Sequence, residues 1–227
     1  MDLVKIARRV ASSHKRVSLD TILDAVQKTC PADLRPDIGK FVGSGMFGET
    51  YEVDGGDKVL KVAVAKTEAE ASAHLDNIRS LADVDTDVFV GVHDYGILCD
   101  VEVPKTTKYV NKAGVAYFYV MDKLIPVPKD EAKIAARTMD DLAQMEKAGS
   151  DDAKRKQYLR SRTKQHLRDG DFEEGGSNPV AKAMDLYGRM KAAGVGHKDM
   201  HGDNIMQDAD GRYKLIDLEA ARLLGKS

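Results

Sequence analysis

HKDMHGDNIMQDADGRYKLIDLE, residues 197 to 219, is the stretch whose reading decides the fold. Its first half fits H-x-D-x-x-x-x-N through His197, Asp199 and Asn204, and the run Tyr213-Lys214-Leu215-Ile216 then delivers Asp217. Phosphoryl transfer asks for little covalent chemistry. It needs a carboxylate to orient a hydroxyl and oxygen ligands to hold Mg²⁺ on the phosphates. On this reading one loop carries Asp199 as catalytic base and Asn204 as a metal ligand, and His197 braces that loop. A β-hairpin turning at Asp208-Ala209-Asp210-Gly211 returns Asp217 to the same cleft as the second ligand.

Working upstream, Gly43-Ser44-Gly45-Met46-Phe47-Gly48 is a G-x-G-x-x-G motif. In a dinucleotide fold it would open a helix. Here β-type residues flank it, Ile38 to Val42 before and Glu49 to Val53 after, so it is expected between two strands, with its backbone N–H groups available to phosphates. A turn at Asp54 to Asp57 leads into a third strand, Lys58 to Ala63, with Lys61 as an inward-facing cation for the α- and β-phosphates. A plain glycine-rich hairpin with a surface lysine is the simpler alternative. A helix is predicted from Thr67 to about Leu81 with Ala71, Leu75, Ile78 and Ala82 inward. Its resemblance to the corresponding helix of protein kinases, which supplies a glutamate to the strand lysine, implies Glu70, and after it Glu68, as partner for Lys61, although Thr67-x-x-Glu70 is equally a capping box.

Two more strands are predicted, Val88 to Cys99 and Val115 to Met121, before Pro126 and Pro128 mark a boundary. Beyond it come a helix from about Asp130 to Lys147 and a helix opening at Asn178-Pro179, with Val180, Ala183, Met184, Tyr187 and Met190 on one face and Gly194 ending it. Between these helices lie Lys154, Arg155, Lys156, Arg160, Arg162, Lys164 and Arg168, followed by the acids Asp169, Asp171, Glu173 and Glu174. Such a run reads first as a solvated helix face and second as a docking surface for an acidic protein or RNA. At the other end, residues 2 to 30 suggest two short helices. Leu3, Ile6, Ala7 and Val10 line the first, and the second opens at Ser18 with Ile22, Leu23 and Val26, the pair capping the next lobe up to Pro31 and Pro36.

With 227 residues, of which 42% are hydrophobic, the chain has enough material for one large or two small lobes. A net charge of −2 gives it no overall bias toward DNA or another polyanion. No signal peptide is expected, because Lys5, Arg8 and Arg9 interrupt the early apolar residues, and no run is long enough to span a membrane. Cys30 and Cys99 stand far apart in sequence and are read as unconnected, in keeping with a reducing cytoplasm.

Glycine loop, Lys61, helix, Asp199 with Asn204, and Asp217 occur in the order of the protein-kinase-like superfamily, which this chain resembles from about residue 38 to 220. The resemblance implies an α+β, two-lobed fold with an N-terminal helical extension (1–37), an N-lobe (38–125) and a truncated, helical C-lobe (126–227) with a charged insert at 130–177. It implies ATP and Mg²⁺ as ligands. Tyr117 to Leu124 then looks like a hinge, with Met121 behind the adenine and backbone groups of Asp122 and Leu124 bonded to it. The H-K-D-M-H-G-D-N-I-M stretch and the short lower lobe are most similar to the early serine/threonine protein kinases of lytic podophages. That similarity implies transfer of phosphate to serine or threonine hydroxyls of bacterial host proteins. Because Glu219 replaces the usual glycine and the chain stops at Ser227, no activation-loop control is expected.

Three other readings compete. His197, Asp199, His201 and Asp203 alternate as a hydrolase metal cluster would. A pseudokinase would bind nucleotide or a partner without transfer. A small-molecule kinase of the aminoglycoside or choline type shares D-x-x-x-x-N followed by Asp, but builds its pocket from a region after that aspartate that is almost missing here.

Overall fold

A computed structural model describes residues 21–35, 38–45, 47–84, 87–105, 109–170 and 177–224. The expected first helix around Leu3 to Val10, the Ser18 start, Pro36, Met46, and the acids Asp171, Glu173 and Glu174 lie outside these residues. The protein is a mixed α+β structure in two compact units, Met1–Arg79 with Gly91–Lys123 and Ser80–Val90 with Leu124–Ser227. The chain passes from the first unit to the second between Lys123 and Leu124. The N-terminal helix belongs to the first unit, and a short segment around residues 80–90 belongs to the second.

In the first unit α1 (Ile22–Thr29) precedes β1 (Phe41–Ser44), β2 (Gly48–Val53) and β3 (Lys58–Ala65). Then come α2 (Glu68–Ala82), β4 (Val92–Glu102) and β5 (Ala113–Asp122). The strands form one antiparallel sheet in the order β1-β2-β3-β5-β4. Period-two alternation sorts its faces. Leu60, Val62 and Val64 lie opposite Val120, Phe118 and Ala116 and join the core that includes Ile22 and Val26 of α1. The other face carries Lys61 opposite Tyr119 and Ala63 opposite Tyr117. Tyr117 shares its hydroxyl with His74 of α2 at 3.3 Å.

Cys30, at the end of α1, is joined by a disulfide to Cys99 of β4, with Cα atoms 5.4 Å apart. This corrects the reading of two unconnected cysteines. Their separation along the chain is 69 residues, but α1 packs across β4 and brings them within the reach of one bridge. The cysteine argument for a reducing compartment falls with it. Among the described residues no helix is long and apolar enough to cross a membrane.

The second unit contains β6 (Ile125–Pro126), α3 (Lys129–Lys147), α4 (Asp152–Asp169) and α5 (Pro179–Ala193). The short strands β7 (Val195–His197), β8 (Ile205–Gln207), β9 (Tyr213–Leu215) and β10 (Ala221–Leu223) follow. α5 begins as the sequence predicts: Asn178 Oδ1 accepts the Ala181 N–H at 3.0 Å, Pro179 fills the first turn, and Gly194 ends the helix at φ 65°. Its buried stripe differs in one place, because Met184 points outward while Leu186 is fully buried. The strand predicted from Val88 starts only at Val92. Val88 and Val90 instead exchange backbone hydrogen bonds with Leu215, with Phe89 bridged parallel to it.

Candidate functional site

The glycine turn of the first unit is a β1–β2 hairpin closed by Gly45 N–H donating to the Gly48 carbonyl at 2.9 Å. Its glycines serve different ends. A side chain on Gly48 would collide with the Val62 carbonyl of β3, so this residue permits close strand pairing, whereas Gly43 and Gly45 face open space. Ser44 closes β1 and Phe47 is exposed at the tip.

Behind the turn the outgoing strand is anchored by a group the sequence reading did not single out. Glu49 is fully buried and accepts hydrogen bonds from Thr21 Oγ1 at 2.9 Å, from Tyr109 Oη at 2.6 Å and from the Tyr51 hydroxyl. A buried carboxylate is tolerable when hydroxyls replace its hydration, and these come from three separate segments. Burial, reinforced by the Glu49 carboxylate, pushes the Tyr109 phenol up to about 12. No local sequence signal announces such a cluster.

Lys61 lies on the opposite face of the sheet, its ammonium 5.6 Å from the centroid of the Tyr119 ring. Glu70 does what the capping box asks. Its Oε2 accepts the Lys66 N–H at 2.7 Å while Thr67 Oγ1 accepts the Glu70 N–H at 3.2 Å, and His74 is 4.0 Å away. The chemistry that sequence reasoning assigned as an alternative to the lysine partnership is thus the one these contacts express; Glu68 opens the helix in its first turn. At the end of β5, Met121 is buried and the Asp122 N–H is spent on the Gly91 carbonyl at 2.9 Å, while the Asp122 carboxylate meets His93 at 2.6 Å. Leu124 opens the second unit, half-buried.

In that second unit the predicted hairpin forms. β8 and β9 pair with Ile205 opposite Leu215, and Asp208 Oδ1 accepts the Asp210 and Arg212 N–H groups at 3.0 and 2.9 Å to shape the turn. β10 then returns antiparallel to β7, so the segments on either side of Asp199 and Asp217 are stitched to each other. His197 is the stitch. Its Nε2 lies 3.2 Å from the carbonyl oxygens of both Ile216 and Asp217, and its Nδ1 accepts the Asp199 N–H at 3.3 Å. All three contacts are satisfied by the neutral ring protonated at Nε2.

Asn204 is buried and donates Nδ2 to the Asp199 carbonyl at 2.8 Å, and the Ile216 N–H donates to the Asn204 carbonyl at 3.0 Å. Its side-chain Oδ1 accepts no hydrogen bond from any described residue, which leaves a hard oxygen available. Asp217 adopts φ 61°, the one described residue other than glycine in the left-handed region. An aspartate tolerates that conformation better than most residues, and such local strain concentrates at functional positions. Asp199 keeps its carboxylate well exposed, with Oδ2 3.4 Å from His201 Nε2.

The proposed four-residue metal cluster is not what forms. His197 is turned toward backbone carbonyls, His201 stands between Asp199 and Asp203 at 3.4 and 3.7 Å, and among the described residues no group of three or more His, Cys, Asp and Glu is arranged to hold a metal ion.

The basic run does form a helix, and Lys156, Arg160, Lys164 and Arg168, each four residues apart, share one exposed face of it, whereas two other cations do not join them. Arg162 turns inward to Asp141 at 3.2 Å and to the Tyr158 hydroxyl at 2.9 Å, and Arg155 is half-buried. Lys154, Lys156, Arg160, Lys164 and Arg168 are exposed. Comparison with known proteins finds neither a family model nor a curated sequence that matches the chain.

Proposed function

We propose that the protein is a two-lobed, protein-kinase-like enzyme that transfers the γ-phosphate of ATP to serine or threonine hydroxyls of proteins, as the early kinases of lytic podophages do to host proteins. The observation that carries this reading is the His197-centred brace, which ties the backbone of Asp199 to that of Asp217 while Asn204 offers a free side-chain oxygen beside them. Asp199 orients the acceptor hydroxyl and takes its proton. Asn204 Oδ1 and the Asp217 carboxylate are the hard oxygen donors that fit Mg²⁺, which when bound neutralises charge on the phosphates.

In the first unit the glycine turn and Lys61 are the nucleotide-holding set. The Lys61 ammonium projects from the face that also carries Tyr117 and Tyr119, and Met121 precedes Asp122, the last residue of β5, whose carbonyl would meet the adenine. Glu70 sits on the first turn of α2 as a capping residue, so the reading does not depend on its pairing with Lys61. Acceptor proteins of a bacterial host are the partners this reading calls for, and the exposed cations of α4 are a second surface for an acidic protein or RNA.

The test is labelled ATP with Mg²⁺, purified protein and a bacterial lysate, run beside an Asp199→Ala variant. Label on lysate proteins that depends on Asp199 is the expected result. Equal labelling by both preparations removes the catalytic assignment, and label confined to small metabolites assigns the enzyme to the small-molecule class instead.

A further inference from the structure

The second unit contains an open groove of about 910 Å³ with Asp199 in its lining. Its floor is apolar: Met139 and Ala143 of α3, Met190 of α5 and Val195 of β7, with Leu224 at one side. Met139, Met190 and Val195 are buried, so the floor is preformed. The charged groups that line it are four cations, Lys147, Lys191, Lys198 and Arg222, against three carboxylates, Asp140, Glu146 and Asp199.

These charges are unequally committed. Glu146 pairs with Lys191 and accepts the Tyr187 hydroxyl at 2.6 Å, and these contacts hold its carboxyl below the usual range. Asp140 accepts from Gln144 at 2.8 Å. Lys147, Lys198 and Arg222 are exposed, and no side chain among the described residues pairs with them. With Glu146 and Lys191 paired to each other, the groove presents an apolar strip lined by three further cations, Lys147, Lys198 and Arg222, against two further carboxylates, Asp140 and Asp199, a small cationic excess.

We infer that this groove holds the acceptor segment of the protein substrate, an extended peptide with an apolar side chain on the floor and acidic residues flanking the hydroxyl. The inference rests on Asp199 orienting that hydroxyl. Charge complementarity selects an acidic segment over a basic one, because Lys198 follows β7 directly, Arg222 lies in β10 and Lys147 ends α3, and together they outnumber the unpaired carboxylates of the lining. The strip excludes water from the apolar contact, and the charges lining it discriminate sequence.

The experiment uses two fluorescent peptides of one sequence apart from their flanking charges, acidic in one and lysine-bearing in the other, each made both with serine and with alanine at the acceptor position. Direct binding of the alanine peptides to the full chain needs no nucleotide. About tenfold tighter binding of the acidic peptide is expected, with that preference reversed in the Lys147→Glu/Arg222→Glu double variant and kept in Lys154→Glu/Lys164→Glu, which changes net charge equally but outside the groove.

Equal affinity for the two peptides overturns the inference, and so does loss of the preference in both double variants alike. If the groove variant does not fold, the wild-type ratio decides alone. The serine peptides separate the two proposals: selective binding without phosphate transfer removes the enzymatic reading and keeps the groove as a peptide site, whereas transfer without selectivity removes the groove.

Discussion

The Asp199 region and the glycine-turn region are built by opposite strategies. Around Asp199 the organising contacts are backbone hydrogen bonds, one histidine and the Asn204 amide, all within the stretch from β7 to β10. Behind the glycine turn they are side-chain contacts between distant segments: Thr21 and Tyr109 reach Glu49 across 28 and 60 residues, and Cys30 reaches Cys99 across 69. The first kind of site is carried by a motif, the second by the tertiary fold. Damage to each should look different.

The largest effect is expected at Asp199, where replacement by alanine should lower phosphate transfer about 10³-fold while leaving the urea midpoint almost unchanged, since its carboxylate is exposed. In the first unit the same comparison predicts losses of stability. Reducing the Cys30–Cys99 bridge, or replacing both cysteines with serine, should cost about 4 kcal/mol for a loop of this length, read as a lower urea midpoint. An unchanged midpoint would show that α1 is held by its apolar contacts alone. Glu49→Ala should cost about 3 kcal/mol, because it leaves buried hydroxyls without their acceptor.

A smaller effect concerns pH. The Tyr109 phenol is raised in the folded protein from an ordinary value of 10.0 to about 12. A raised value means the folded state holds the proton more tightly. The stability this contributes is complete below about pH 10 and is lost as pH climbs toward 12. Tyr109→Phe should flatten that alkaline decline in thermal-unfolding midpoints, and a decline as steep as the wild type's would place its origin elsewhere.

What could be read from the chain follows the same division. The β8–β9 turn was legible because Asp208 caps its own backbone and Gly211 takes a positive φ, both local properties. The start and stop of α5 were legible for the same reason. Its buried stripe was misread at Met184, since an apolar side chain states a preference for burial but not which neighbour will supply it. The Val88 segment read as the start of a strand that really begins four residues later, because its pairing partner, Leu215, lies far along the chain. Glu70 shows the limit within the site: one glutamate satisfied two sequence patterns, and the nearer one claimed its carboxylate. Glu49 and the disulfide left no trace in any local pattern.

The proposed function makes two separate demands: that Lys61 contributes its charge to ATP binding, and that Asp217 contributes through a metal ion. ATP affinity measured by calorimetry with and without Mg²⁺ tests both most directly. Lys61→Ala should weaken ATP binding in both conditions. Asp217→Asn should abolish only the increment that Mg²⁺ confers; an Asp217→Asn protein that binds ATP as the wild type does in Mg²⁺ would contradict the account.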